Sequence, residues 1–198
     1  MSRLIDLKSV PLRQFVVTGL QGCFLILILL GCQKLKPEDV EIPEYPNFEE
    51  LIKQQVPLLG KTTIKKTVSL EGQSEEQVVQ MDTTKWKNEL DFLKEINPNQ
   101  PEYIGAFTKE QNGNQTVLTL GPEEKGELKN VRYVKIGDIY SAINATFHED
   151  KDVYVHHRDI SIDFRDGLIQ SIEINGYQKM MFKDTVRFGI SISTALDK

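Results

Sequence analysis

Hydrophobic and polar positions follow three successive patterns along the 198-residue chain. Residues 15–30 are almost entirely apolar, and they follow a stretch that carries Arg3, Lys8 and Arg13. Residues 47–60 and 82–97 place apolar side chains at helical spacing, whereas from residue 103 onward they recur at every second position. The chain is therefore predicted to consist of a leader, a helical segment and an antiparallel sheet, in that order.

Two helices are predicted in the second pattern. Asn47 is suited to cap the first helix, whose apolar positions fall at helical spacing before Pro57 and Gly60. Asp82 is suited to cap the second, which is expected to run to residue 97 and to pack its apolar stripe against the sheet. That stripe comprises Trp86, Leu90, Leu93 and Ile96. Residues 61–80 combine β-branched residues with many Lys, Glu and Gln, and their pattern fits either a helix or strands.

Eight strands are predicted in the third pattern. The predicted ranges are 103–109, 115–120, 128–136, 139–148, 153–164, 168–174, 178–182 and 186–193. Asp166-Gly167 and Asn175-Gly176 are typical of tight hairpin turns, because these residue types accept a positive φ. The alternation predicts one packed and one solvated sheet face. The predicted class is α+β, with N-terminal helices packed on a twisted, meandering antiparallel sheet of about seven to eight strands.

The apolar leader ends in Leu29-Leu30-Gly31-Cys32, which resembles the bacterial lipobox. That resemblance implies cleavage after Gly31 and attachment of acyl chains, such as palmitate, at Cys32. The sixteen-residue apolar stretch falls short of the roughly 20 residues that a membrane-spanning helix needs, which favours a signal peptide over a plain membrane anchor with Cys32 as a buried thiol. We predict a signal peptide at residues 1–31, a lipidated cysteine and tether at 32–46, and a single α+β domain at 47–198.

Charge and cysteine content narrow the classes of partner. The net charge is −5, and it becomes −7 without residues 1–31, which hold three basic residues and one acidic residue. This balance argues against nucleic acid as a partner, and the lipid alone is expected to hold the domain at the membrane. With only two cysteines in the chain, no disulfide scaffold is expected.

The predicted location is the bacterial cell envelope, at the outer rather than the inner membrane.

Two segments resemble small lipoproteins of Bacteroidota, over roughly residues 47–198. Residues 86–97 resemble a W-x-x-E-L helix motif of that group, and residues 174–182 resemble its I-x-G-x-Q-K closing hairpin. The resemblance implies a fold and a compartment, but no catalytic residues. It also implies O-glycosylation at Thr83 and Thr185, which follow Asp82 and Asp184 in the D-[S/T] pattern of that lineage. The alternative for both threonines is a role in a helix cap or a turn.

The residues that could carry chemistry are few. His148 and His156 could meet across a predicted hairpin and hold a metal, although solvated strand histidines are the simpler interpretation. The chain lacks the common nucleophile, zinc-protease and phosphate-loop motifs, so no enzyme activity, metal or cofactor is predicted.

The function predicted from these features is a lipid-anchored, non-catalytic binding or envelope-assembly module whose partner is an envelope protein. Candidate side chains for the partner surface are Tyr133, Tyr140 and Tyr154, and the alternative for each is a place in the core. The alternative is a small carrier, in which a half-barrel encloses an apolar ligand between helix and sheet. Such a carrier requires a cavity in the space that Trp86, Leu90 and Leu93 would otherwise fill.

Overall fold

The structure, a computed structural model, describes residues 45–194. The predicted signal peptide, Gly31, Cys32 and the tether up to residue 44 lie outside the described residues. Among residues 45–194, no helix is long and apolar enough to cross a membrane.

Residues 45–194 form two α-helices, two short 3-10 segments and nine strands. The helices are α1 (Phe48–Leu59) and α2 (Thr83–Glu89), and the 3-10 segments are Asp91–Lys94 and Pro101–Tyr103. The strands are β1 (Thr63–Leu70), β2 (Gln73–Gln80), β3 (Phe107–Asn112), β4 (Gln115–Leu120), β5 (Leu128–Ile136), β6 (Ile139–Lys151), β7 (Tyr154–Arg165), β8 (Leu168–Met180) and β9 (Val186–Thr194).

All nine strands belong to one antiparallel sheet with the order β2-β1-β9-β8-β7-β6-β5-β4-β3. Strands β3 to β9 form the predicted meander, and the β1–β2 hairpin extends it by pairing β1 with β9. The α+β class with an antiparallel sheet agrees with the prediction, whereas the count of seven to eight strands was too low. The additional hairpin comes from residues 61–80, whose conformation the sequence pattern leaves open. Glu71 and Gly72, with φ of 50° and 80°, form the two-residue turn between its strands.

Both predicted helix caps are present, the first helix ends just before Gly60, and the predicted end of the second helix was wrong. Glu50 N donates to Asn47 Oδ1 at 3.1 Å, and α1 continues through Pro57 to Leu59. Lys85 N donates to Asp82 Oδ1 at 2.8 Å, but α2 stops at Glu89 and is followed by the 3-10 segment. The predicted stripe is nevertheless fully buried, and the 3-10 segment keeps Leu90 and Leu93, three residues apart, on the same side as Trp86.

The predicted turn at Asn175-Gly176 is absent, because β8 runs unbroken through it. Gly176 pairs with Arg158 on one side and with Phe188 on the other. A Cβ at Gly176 would lie 2.4 Å from the His157 carbonyl oxygen and 2.6 Å from Phe188 Cζ. The glycine therefore makes room for an aromatic ring across the strand, and the chain reverses only at residues 181–185.

The core lies between the sheet and the helical layer, which consists of α1, α2 and the 3-10 segments. We call the sheet face towards this layer the inner face and the opposite one the outer face. Gln55 joins α1 to the β7–β8 turn: its Nε2 donates to the Gly167 carbonyl at 2.7 Å, and its Oε1 accepts from Ile169 N at 3.0 Å. The largest fully buried side chains include Trp86, Phe48, Ile64, Leu118, Leu128, Ile143 and Ile162.

The outer face is hydrophilic. Strand register aligns a row of small polar residues across all nine strands: Thr108, Thr119, Asn130, Thr146, Asp159, Asn175, Gly189, Ser69 and Ser74. One packed and one solvated face is the arrangement that the alternation predicted.

Candidate interaction surfaces

An open cleft of about 1,080 Å³ lies at the margin of the helical layer. Its walls come from the 94–103 segment, the loop before β5, and the adjoining ends of β6 and β7. Seven acidic and five basic side chains line it. The charges of both signs make this cleft suitable for a polar partner and unsuitable for an apolar one.

Arg158 connects the sheet to the helical layer inside this cleft. Its Nη2 lies 2.6 Å from Glu95 Oε2, and its guanidinium stands over the Phe147 ring at 4.4 Å from the centroid. Its Nε is buried and makes no hydrogen bond within residues 45–194. The guanidinium is therefore held by one ion pair and one cation–π contact, while its buried Nε–H has no partner among the described residues.

A second cluster of polar side chains lies where β6 ends and β7 begins. The Tyr154 hydroxyl donates to Glu149 Oε2, and Lys151 Nζ lies 3.1 Å from Glu149 Oε1. The hydrogen bond from Tyr154, together with Lys151, lowers the pKa of the Glu149 carboxyl. The same hydrogen bond is the main reason why the pKa of Tyr154 is raised. Glu149 is thus a fixed negative charge on the cleft wall.

The three candidate tyrosines occupy different environments. Tyr133 is buried, and Tyr140 packs between it and Phe164 with ring centroids 6.1 and 6.0 Å away. Burial raises the pKa of Tyr140 to about 12. Only Tyr154 lies beside the cleft, so Tyr133 and Tyr140 contribute to the core rather than to a partner surface.

The proposed meeting of His148 and His156 was wrong. His148 pairs with His157 across β6 and β7, so His156, one residue earlier, lies on the opposite sheet face. His157 stacks on Tyr177 at 5.3 Å, and its Nε2 is 2.9 Å from Asp159 Oδ2. His156 instead stacks on Phe188. Within residues 45–194, no group of three His, Cys, Asp or Glu side chains is placed to hold a metal.

The two candidate glycosylation sites are placed differently. Thr83 is exposed at the first position of α2, where its neighbour Asp82 provides the helix cap. Thr185 is half-buried in the turn that precedes β9. Modification of either threonine stays a prediction.

The interior offers little space for an apolar ligand. Trp86, Leu90 and Leu93 have no exposed surface and fill the region between the helical layer and the sheet. A groove of about 390 Å³ does lie between the β1–β2 hairpin and α2. Lys66 and Glu89, whose Nζ and Oε1 are 2.6 Å apart, form an ion pair in its lining.

One further surface was missed by sequence reasoning. The inner face extends beyond the helical layer at the β8–β9 hairpin, where several apolar side chains are exposed. We call the side chains of Met180, Met181, Phe182 and Val186 the apolar tip. The Met-Met-Phe run at residues 180–182 was the available signal, but it was interpreted as the end of a strand predicted at 178–182.

Comparison of the chain with protein-family models, with curated proteins and with solved structures gives no match. The structure therefore assigns the chain to a fold class and to no protein family: residues 45–194 form an α+β domain with a nine-stranded antiparallel sheet.

Proposed function

We propose that this protein is a lipid-anchored lipoprotein of the bacterial cell envelope that acts as a non-catalytic binding module. The acylated Cys32 would be its anchor, and the polar cleft would bind a segment of an envelope protein. The observation that carries the proposal is the cleft itself, which is large, open and lined by charges of both signs. Most large clefts that take small molecules are instead predominantly apolar.

The cleft walls favour a peptide-like partner with charges of its own. Charged side chains on open walls are partly solvated, so they contribute orientation and association rate more than affinity. The fixed carboxylate of Glu149 and the Arg158–Glu95 pair supply directional contacts on the cleft wall. A segment that presents Lys or Arg beside Asp or Glu would meet complementary groups along the cleft.

The carrier remains the alternative, and the groove beside α2 is the observation that favours it. Ile64, Val79 and Met81 give this groove apolar walls. The Lys66–Glu89 pair would have to open or be covered for an acyl chain to enter, which costs desolvation of both charges. Native mass spectrometry of residues 33–198 separates the two functions, since a carrier should retain a lipid-sized mass.

The anchor is tested by metabolic labelling of the full chain with an alkyne analogue of palmitate in a bacterial host. The chain should be labelled, and Cys32→Ala should abolish the label. Cys23→Ala is the matched control and should retain it, because that residue lies within the predicted signal peptide. Equal labelling of wild type and Cys32→Ala would contradict the lipid anchor.

The cleft is tested by photo-crosslinking in intact cells from a benzoylphenylalanine at position 102, which lines the cleft. A discrete protein adduct is expected, and charge reversal by Lys125→Glu in the same cleft should weaken it. Lys109→Glu on β3 is the control and should leave the adduct unchanged. An adduct indifferent to Lys125→Glu, or no adduct, would contradict a partner in the cleft.

A further inference from the structure

The β8–β9 hairpin ends in a cluster of apolar side chains that no other described residue covers. Phe182 is 97% exposed, and Met180, Met181 and Val186 are between 43% and 49% exposed. Met181 N donates to the Val153 carbonyl at 2.9 Å, so the β6–β7 turn, with its exposed Val153, lies directly beside the hairpin. Isolated exposed apolar residues are ordinary, but a contiguous group marks an interaction surface.

The backbone indicates that this cluster does not serve the fold. Phe182 has a φ of 62°, in the left-handed region that a bulky side chain rarely occupies. Its ring is nonetheless almost fully solvated, so the strained residue gains no burial in return. A Gly or Asn would close the same turn with less strain. The aromatic ring at this position therefore has a use outside the fold.

The charges on the hairpin indicate what covers it. Residues 179–187 carry Lys179, Lys183 and Arg187 against the single carboxylate of Asp184. Apolar side chains flanked by basic ones fit the boundary between lipid headgroups and acyl chains, where the cations meet phosphates. The adjoining turn carries Asp150, Lys151 and Asp152, so the local surplus of positive charge is small and the apolar side chains must supply most of the affinity.

We propose that the apolar tip inserts into the interface of a phospholipid bilayer. The sequence led us to expect that the acyl chains at Cys32 alone hold the acidic domain at the membrane, and the apolar tip would add a second contact. The proposal rests on the proposed envelope location, but not on acylation of Cys32. Because Tyr154 pairs with Met180 and hydrogen bonds to Glu149 on the cleft wall, insertion of the tip would bring the polar cleft close to the membrane surface.

The test is co-sedimentation of lipid-free residues 33–198 with vesicles of phosphatidylethanolamine and phosphatidylglycerol. These residues include the complete core described above, and they lack both cysteines. The protein should bind, and the double substitution Met181→Ser, Phe182→Ser should lower the partition coefficient by about tenfold or more. Val78→Ser is the matched control, because Val78 is also an exposed apolar residue, on β2 and distant in register from the hairpin.

Charge substitution separates the headgroup contact from the apolar one. Lys183→Ser should lower binding to anionic vesicles several-fold and leave binding to pure phosphatidylcholine nearly unchanged.

No vesicle binding by the wild type, or equal losses in the tip variant and Val78→Ser, would overturn the proposal. It would also be overturned by a dimer in analytical ultracentrifugation that the tip substitutions dissociate, because a second copy would then be the occupant. Because the protein is lipid-free, failure here is independent of the labelling result at Cys32.

Discussion

The inner face of the sheet has two regions that differ in what covers them. Under the helical layer, Ile172 and Ile174 on β8 and Ile192 on β9 are buried. Further along the same two strands, Met180 and Val186 occupy the same face and are exposed. Alternating apolar residues therefore identify a face of a sheet, but they do not tell whether another layer covers it.

The lengths of the elements explain why one layer cannot cover both regions. At 1.5 Å per residue the twelve residues of α1 extend over about 18 Å, whereas the thirteen residues of β8 extend over about 43 Å. The covered region should therefore determine stability, and the uncovered region should determine contacts with other molecules. Each of the following predictions tests this division.

Trp86→Ala should cause the largest loss of stability. The Trp86 side chain is fully buried, and its Nε1 donates to Thr62 Oγ1 at 3.2 Å. Its removal leaves a cavity between α2 and the sheet, which should lower the free energy of unfolding by about 3–5 kcal/mol. Urea denaturation of residues 33–198 measures this, with Trp86→Phe as the milder control. A loss below about 1 kcal/mol would show that the helical layer is not the stabilising one.

Gln55→Ala should have the next largest effect. The substitution leaves the Gly167 carbonyl and the Ile169 N–H without their partner at a buried position. We expect the free energy of unfolding to fall by about 2–3 kcal/mol. Gln54→Ala, at the adjacent exposed position of α1, is the control and should change stability by less than about 0.5 kcal/mol. Similar results for the two variants would contradict the bridging role of Gln55.

Gly176→Ala tests the border between the two regions. The new Cβ would meet a backbone oxygen and the Phe188 ring, so a loss of about 1–3 kcal/mol is expected by urea denaturation. Gly189→Ala is the comparison, because the close contacts of its Cβ would be with the side-chain tips of Ser69 and Asn175, which can rotate away, and the nearest backbone oxygen is 3.9 Å away. A larger loss at Gly189 than at Gly176 would contradict the account of why β8 continues through a glycine.

Phe182→Ser should have the smallest effect on stability. The ring is almost fully exposed, so its loss should change the free energy of unfolding by no more than about 0.5 kcal/mol. The same urea experiment measures it, alongside Trp86→Ala. A loss above about 1 kcal/mol would mean that the tip packs against the domain and belongs to the covered region.

The sequence predicts those parts of the fold that local chemistry determines. Asn47 and Asp82 were identifiable as helix caps because their side chains accept bonds from nearby N–H groups. Residues 61–80 were ambiguous because β1 depends on pairing with β9, more than one hundred residues away. Asn175-Gly176 resembled a turn, yet the glycine is required by Phe188, a contact that only the folded sheet creates.

The candidate surfaces were predictable to a smaller extent. Tyr154 was among the residues expected at a partner surface, and it does lie beside the cleft through Glu149. Arg158 and Glu95 could not be paired from the sequence, because they lie 63 residues apart in different layers. His148 pairs with His157 and not with His156, and this follows from the strand register. A register shift of one residue would move each side chain of the strand to the opposite face of the sheet, and the sequence does not determine the register this closely.

The most direct test of the division between the two regions uses a fluorophore that responds to the polarity of its surroundings. Residues 33–198 contain no cysteine, so Phe182→Cys and Val78→Cys can each be labelled at one site with nitrobenzoxadiazole. On addition of phosphatidylethanolamine–phosphatidylglycerol vesicles, the label at position 182 should brighten and shift to shorter wavelength, and the label at position 78 should not change. An unchanged spectrum at position 182, or equal shifts at both positions, would contradict a membrane-facing apolar tip.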